Sequence, residues 1–216
     1  MKGLIIKDFI NLKKTLKIFV VISLLYFVIG ITSNNPGFFS NILCAILAVT
    51  TISLFSYDDL AKWDVYVLTM PIKRETIIMA RYIMMLLLAL IGAAFSAVLT
   101  VASGLYLKKG IKDELIGIVL GTSLIILLLS IIIPFVVKLG VERARLILVA
   151  IYFIPVMVFM MLKQMFEKRS LEIPNWLIKT GNIAMKYIYI IIPLTLLLVL
   201  AFSYLISVRL YNKKEL

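Results

Sequence analysis

Y-D-D-L-A-K-W-D-V-Y-V-L-T-M-P-I-K-R-E-T-I-I-M-A-R, residues Tyr57 to Arg81, is the stretch whose reading decides the fold. It holds Asp58, Asp59, Asp64 and Glu75, four of the chain's eleven acids, together with aromatics, bases and the helix-stopping Pro71. No charged residue occurs from Ile18 through Tyr57, the segment's first residue, or between Tyr82 and Leu107 after it. An apolar run of roughly 20 residues is what a helix needs to cross a bilayer. The segment therefore reads as a water-facing connection between two membrane spans, with enough chemistry to contact another protein.

Composition agrees. A hydrophobic fraction of 63% and a mean hydropathy of +1.11 lie far above soluble usage, so lipid is the solvent. The net charge of +12 does not form one nucleic-acid-binding patch, because the basic residues fall between apolar runs, where they set topology and meet anionic lipid. Cys44 is the single cysteine and histidine is absent, which removes disulfides, Cys-cluster metal sites and the commonest general base. No metal site is expected.

Outward from the segment, the periodicity predicts an all-α integral membrane protein with six transmembrane helices. Residues 1–17 place Ile5, Phe9, Leu12 and Leu16 on one helical face and Lys7, Asp8, Asn11 and Lys14 on the other. This predicts an amphipathic helix in the interface, with Phe9 inward and Lys7, Lys13 and Lys14 toward anionic headgroups. The turn T-S-N-N-P-G at Thr32 to Gly37 divides a first span, 18–31, from a second, 38–55. The others are 82–107, 115–137, 146–162 and 187–208, with a polar stretch carrying Pro174 and Trp176 before the last. No repeat or linker divides residues 1–216, so one domain is expected.

Six spans put both termini on one side. With the N-terminus inside, the inner segments carry five, four, three and three Lys or Arg, and the outer loops none, three and five. The excess places the termini and segment 57–81 in the cytoplasm.

The expected spans contain no Asp, Glu, Lys or Arg. Ion-driven transporters and voltage sensors place such groups in the membrane, so a self-powered transporter is disfavoured. No G-x-x-x-x-G-K-[ST] loop is present to cradle ATP. Membrane hydrolases lack their His or paired carboxylates here, and no catalytic residue is assigned. Ala89, Ala93 and Ala97, and the G-x-x-x-G of Gly117 and Gly121, permit close helix packing, within the chain or between chains. Thr50, Thr51 and Ser53, with Met157 and Met161 of the Met-rich fifth span, are candidates for a translocation path. Bonding of the hydroxyls to their own helix and packing of the methionines are the plainer alternatives.

Within 57–81, Asp58 or Asp59 can start a short helix, and Asp59, Trp63 and Tyr66 then share a face at i, i+4 and i+7. An acidic and aromatic stripe suits docking into a groove on a partner. Pro71 ends that helix or opens the next, and Arg74 and Glu75 precede the third span. The opening M-K-G-L-I-I-K-D, the six spans and this segment together resemble the type-2 ABC exporter permeases. They are most similar to a small bacterial branch that includes the permease of phenol-soluble modulin exporters. The matching positions are Asp58, Asp59, Trp63, Pro71, Arg74 and Arg81; Lys73 departs from the small hydroxyl residue often found before the arginine.

The resemblance implies that 57–81 is a cytoplasmic coupling helix seated in a separate ATPase, with contacts from Asp58, Asp59, Trp63, Asp64, Tyr66, Pro71, Arg74 and Glu75. It implies two ATPase subunits holding ATP and Mg, a second permease chain, identical or paralogous, and a bacterial cytoplasmic membrane. The first, second and fifth spans would line the permease interface. The cargo would be an amphipathic or antimicrobial-type peptide or a lipid-like molecule. The alternative from another class is a stand-alone immunity protein that sequesters a peptide toxin without ATP.

Overall fold

The computed structural model describes residues 2–33, 36–67, 69–107, 111–147, 149–151, 153, 157, 160–161 and 188–213. Its helices are α1 (Lys2–Thr32), α2 (Pro36–Leu60), α3 (Trp63–Val67), α4 (Arg74–Leu107), α5 (Lys112–Leu139) and α6 (Ile188–Asn212). All except α3 are long and apolar enough to cross a membrane, giving five candidate spans, and no strand occurs among the described residues. The expected fifth span, 146–162, lies mostly outside the described residues, although those described between 141 and 161 are helical. The stretch with Pro174 and Trp176 lies outside them entirely.

The first correction concerns the N-terminus. Instead of an interfacial helix followed by a span, α1 is one continuous helix of 31 residues. No Gly or Pro falls between Leu4 and Ile29 to break it. At about 1.5 Å per residue it reaches roughly 46 Å, past a hydrocarbon core of about 30 Å, so its first turns stand beyond the core. Its expected apolar face does pack inward, with Ile5, Phe9 and Leu16 against the cluster that holds Leu12, but Asp8 of the expected polar face turns in as well. Asp8 and Leu12 are buried, whereas Ile6 and Ile10 are 58% and 66% exposed. Asp8 turns in because it finds charged partners there, whereas Asn11 and Lys13 stay exposed as expected.

The second correction narrows segment 57–81. α2 continues through Leu60 and α4 begins at Arg74, so only 61–73 lies between the long helices. α2 closes with Ala61 N–H on the Tyr57 carbonyl and Lys62 N–H on that of Asp59, and Lys62 adopts a positive φ of 49°. That left-handed residue turns the chain, which puts Asp59 in α2 and Trp63 in α3 rather than on one helix.

Two apolar clusters hold the bundle. One joins Leu12 and Phe19 of α1 to Leu43, Leu47 and Leu54 of α2 and Met84 and Leu88 of α4. The other joins Ala48 and Ile52 to Ile78, Met85, Leu129, Ile133 and Tyr211. The G-x-x-x-G pair packs inside the chain: a Cβ on Gly121 would meet Asn41 Oδ1 at 2.5 Å. Gly92 lets α4 approach α2 so closely that a Cβ there would lie 3.3 Å from the Cys44 Cα. Ser96 and Thr100 of α4 donate to the Ser40 carbonyl and hydroxyl at 2.7 and 2.8 Å, and Tyr82 pairs with Ser203 and Ser207 of α6. Such bonds replace water for polar groups in lipid.

Candidate functional site

The start of α1, the ends of α2, α5 and α6, and the start of α4 gather at one end of the bundle, with α3 laid against them. Beneath α3 lies a closed ring of four charges from three helices. Lys7 Nζ is 2.8 Å and 3.0 Å from the two Asp58 oxygens and 3.2 Å from Asp8 Oδ1. Arg81 Nη1 donates to Asp8 Oδ2 at 2.9 Å, and Nη2 pairs with Asp58 Oδ2. Each acid thus touches both bases. The side chains of Asp8, Asp58 and Arg81 are 2%, 8% and 7% exposed and that of Lys7 21%.

Two positive and two negative groups leave the ring neutral, the condition under which charges tolerate burial. Burial and the neighbouring Arg81 guanidinium pull the Lys7 ammonium below its ordinary range, while Asp8 pulls it up. Rings pack on the two cations: Arg81 lies 5.0 Å from the centre of Phe55, and Lys7 Nζ 4.2 Å from that of Trp63. The Trp63 contact brings α3 onto the ring of charges.

Further ties surround α3. Val67 is fully buried, and the Tyr211 hydroxyl of α6 donates to Asp64 Oδ1 at 3.2 Å. Arg74 Nη1 donates to the Asn212 and Tyr211 carbonyls at 2.9 and 3.4 Å, capping the end of α6. The opposite face of α3 is open, with Val65 57% and Tyr66 62% exposed and Leu60 beside it 83% exposed.

These placements divide the expected contact residues. Asp58 faces inward and Lys7 meets Asp58 rather than headgroups. Trp63 is half-buried under Lys7, and Asp64 and Arg74 bind α6. Asp59, Tyr66, Pro71 and Glu75 are exposed, Asp59 at the rim of a small cavity that Asp58, Asp64 and Tyr211 also line. Glu75 also sits in the first turn of α4, where a carboxylate suits the helix dipole. Lys73, which directly precedes α4, leaves that helix without a hydroxyl at its start.

Of the expected interfacial residues, Lys13 is exposed and Phe9 packs on the α1–α2–α4 cluster; the Lys14 side chain lies outside those described. The path candidates are dispersed. Thr50 bonds to the Leu47 carbonyl, Thr51 is buried, Ser53 is half-buried, and Met157 and Met161 are 56% and 60% exposed. A cavity of about 680 Å³ lies between α5 and α6, lined by residues such as Ser130, Pro134, Phe135 and Phe202 and by none of those five. Sequence reasoning missed Asp8 as a site residue. The signal available was its position four residues before Leu12, on the face that packs inward.

A family model described as ABC-2 family transporter protein matches residues 3–212. No curated protein and no solved structure matches the chain.

Proposed function

We propose, from the premise that the chain belongs to the ABC-2 family of transporter proteins, that it is the permease subunit of an ATP-driven exporter energised by a separate ATPase docking on segment 57–81. The family is a membrane transport component and implies an ABC ATPase partner, and the chain is a multi-pass membrane protein. The observation that carries the reading is the two-sidedness of α3: one face is wedged on the ends of the spans, and the other offers Val65 and Tyr66 outward. Asp59, Leu60, Pro71 and Glu75, exposed in the same segment, are further candidate contacts.

The packing together with the basic-residue count supports six spans with cytoplasmic termini. α5 and α6 both end at the α3 side, as Val137 and Tyr211 border one small cavity there. α6 therefore begins on the opposite side from where α5 ends, which supports the expected crossing over 146–162. Two permease chains and two ATPases form the exporter in a bacterial cytoplasmic membrane. Among the described residues α1 and α6 are the least covered spans, 17% and 11% buried, leaving apolar surface for lipid or a second permease. The exposed Met157, Met160 and Met161 suit an amphipathic peptide or lipid-like cargo.

Co-expression with the partner ATPase tests the reading. Tyr66→Ala and Asp59→Lys lower the ATPase recovered with the chain at unchanged chain abundance. Recovery equal to wild type in both variants would remove α3 as the docking element, and the absence of any ABC ATPase with the wild-type chain would favour the stand-alone alternative.

A further inference from the structure

We infer that the Lys7–Asp8–Asp58–Arg81 ring is the joint through which α1 and α4 follow α3, so that the first turns of α1 belong to the energy path. The inference rests on α3 being the ATPase docking element. α3 has five residues and cannot act as a lever by itself. It is joined to α2 through the Lys62 turn and toward α4 through 68–73, but nothing covalent links it to α1. Among the described residues the polar link to α1 is Lys7, whose ammonium lies over the Trp63 ring and on Asp58 at once.

The closed pattern gives this link its stiffness. Because each acid is held by both bases, sliding α1 away from α2 and α4 separates Lys7 from Asp58 and Asp8 from Arg81 together. Opposite charges parted in a partly dehydrated setting lose far more than they would in water. Trp63 Nε1 has no hydrogen-bond partner among the described residues, so the face of its ring against Lys7 is its polar tie. α6 is held differently, by separate hydrogen bonds in which only one partner is charged, Tyr211 to Asp64 and Arg74 to the end carbonyls, rather than by a closed set of ion pairs.

Stiff helices carry the displacement outward. α1 and α4 run 31 and 34 residues from this end, and Phe19 on Phe95 at 5.7 Å keeps them together deeper in the bundle. Lys7 and Asp8 are therefore positioning residues for transport, although they stand apart from the exposed docking face.

The test uses the chain in nanodiscs with its co-purified ATPase, spin-labelled at Val28→Cys and Leu197→Cys, both exposed on α1 and α6. Double electron–electron resonance reads the distance between them with and without ATP and vanadate. Wild type and Lys7→Arg are expected to show a nucleotide-dependent shift, and Lys7→Met is expected to lose it while retaining the ATPase and its hydrolysis. Asp8→Asn, which opens the ring from its other side, is expected to lose the shift likewise. A shift of wild-type size in Lys7→Met and Asp8→Asn overturns the joint and leaves the docking reading standing. Loss of the shift together with the ATPase also overturns it, because Lys7 would then serve docking itself. No ATPase with the unmutated chain overturns both.

Discussion

Replacing Arg81 with Gln is the sharpest perturbation of the site, because it removes one base from a ring in which Asp8 and Asp58 are nearly inaccessible to water. The acids would then share Lys7 alone, and one negative charge would be uncompensated. Removing one partner of a buried ion pair costs about 3–5 kcal/mol. For a chain of this size about 2–4 °C accompanies each kcal/mol, so the melting temperature falls by about 6–20 °C. Thermal unfolding of the detergent-solubilised chain, followed by helical circular dichroism, reads the change. The electrostatic cause is separable from simple loss of packing. Asp58→Asn combined with Arg81→Gln removes one charge of each sign and leaves Lys7 with Asp8, so the double variant melts above Arg81→Gln alone. A single variant melting within about 1 °C of wild type, or a double variant melting below the single, would refute the reasoning.

Three further outcomes follow from particular contacts. Gly121→Ala lowers stability by about 1–3 kcal/mol through its clash with Asn41, whereas Gly117→Ala, whose nearest neighbour would be 3.7 Å away, is neutral or slightly stabilising; paired melting curves decide this. Tyr211→Phe removes the hydroxyl on Asp64 and costs about 1 kcal/mol, measured the same way. Tyr66→Ala, on an exposed face, leaves the melting temperature within about 2 °C of wild type while weakening ATPase capture, which separates docking from stability.

The helical class and most of the long apolar runs were legible because they rest on local signals: charge-free runs and turn residues. The ring was not legible. Asp8 and Arg81 are 73 residues apart, and Lys7 and Asp58 are 51 apart. No periodicity connects groups that meet only when α1, α2 and α4 pack. The continuity of α1 was within reach, since nothing between Leu4 and Ile29 breaks a helix. The polar reading of its lysines obscured it. The G-x-x-x-G motif was visible, but its partner was not: Asn41 lies on another helix, and small residues do not say which surface they admit. The left-handed Lys62 carries no signal either, because lysine is not a residue that favours positive φ.

Photocrosslinking tests the central claim most directly. A benzophenone amino acid placed at Tyr66, 62% exposed on α3, is compared in native membranes with one at Tyr106, 75% exposed near the far end of α4. An ABC ATPase, identified by mass spectrometry, is expected in the Tyr66 product and not in the Tyr106 product. An ATPase absent from the Tyr66 product, or captured equally at Tyr106, would contradict the assignment of α3 as the point where energy enters.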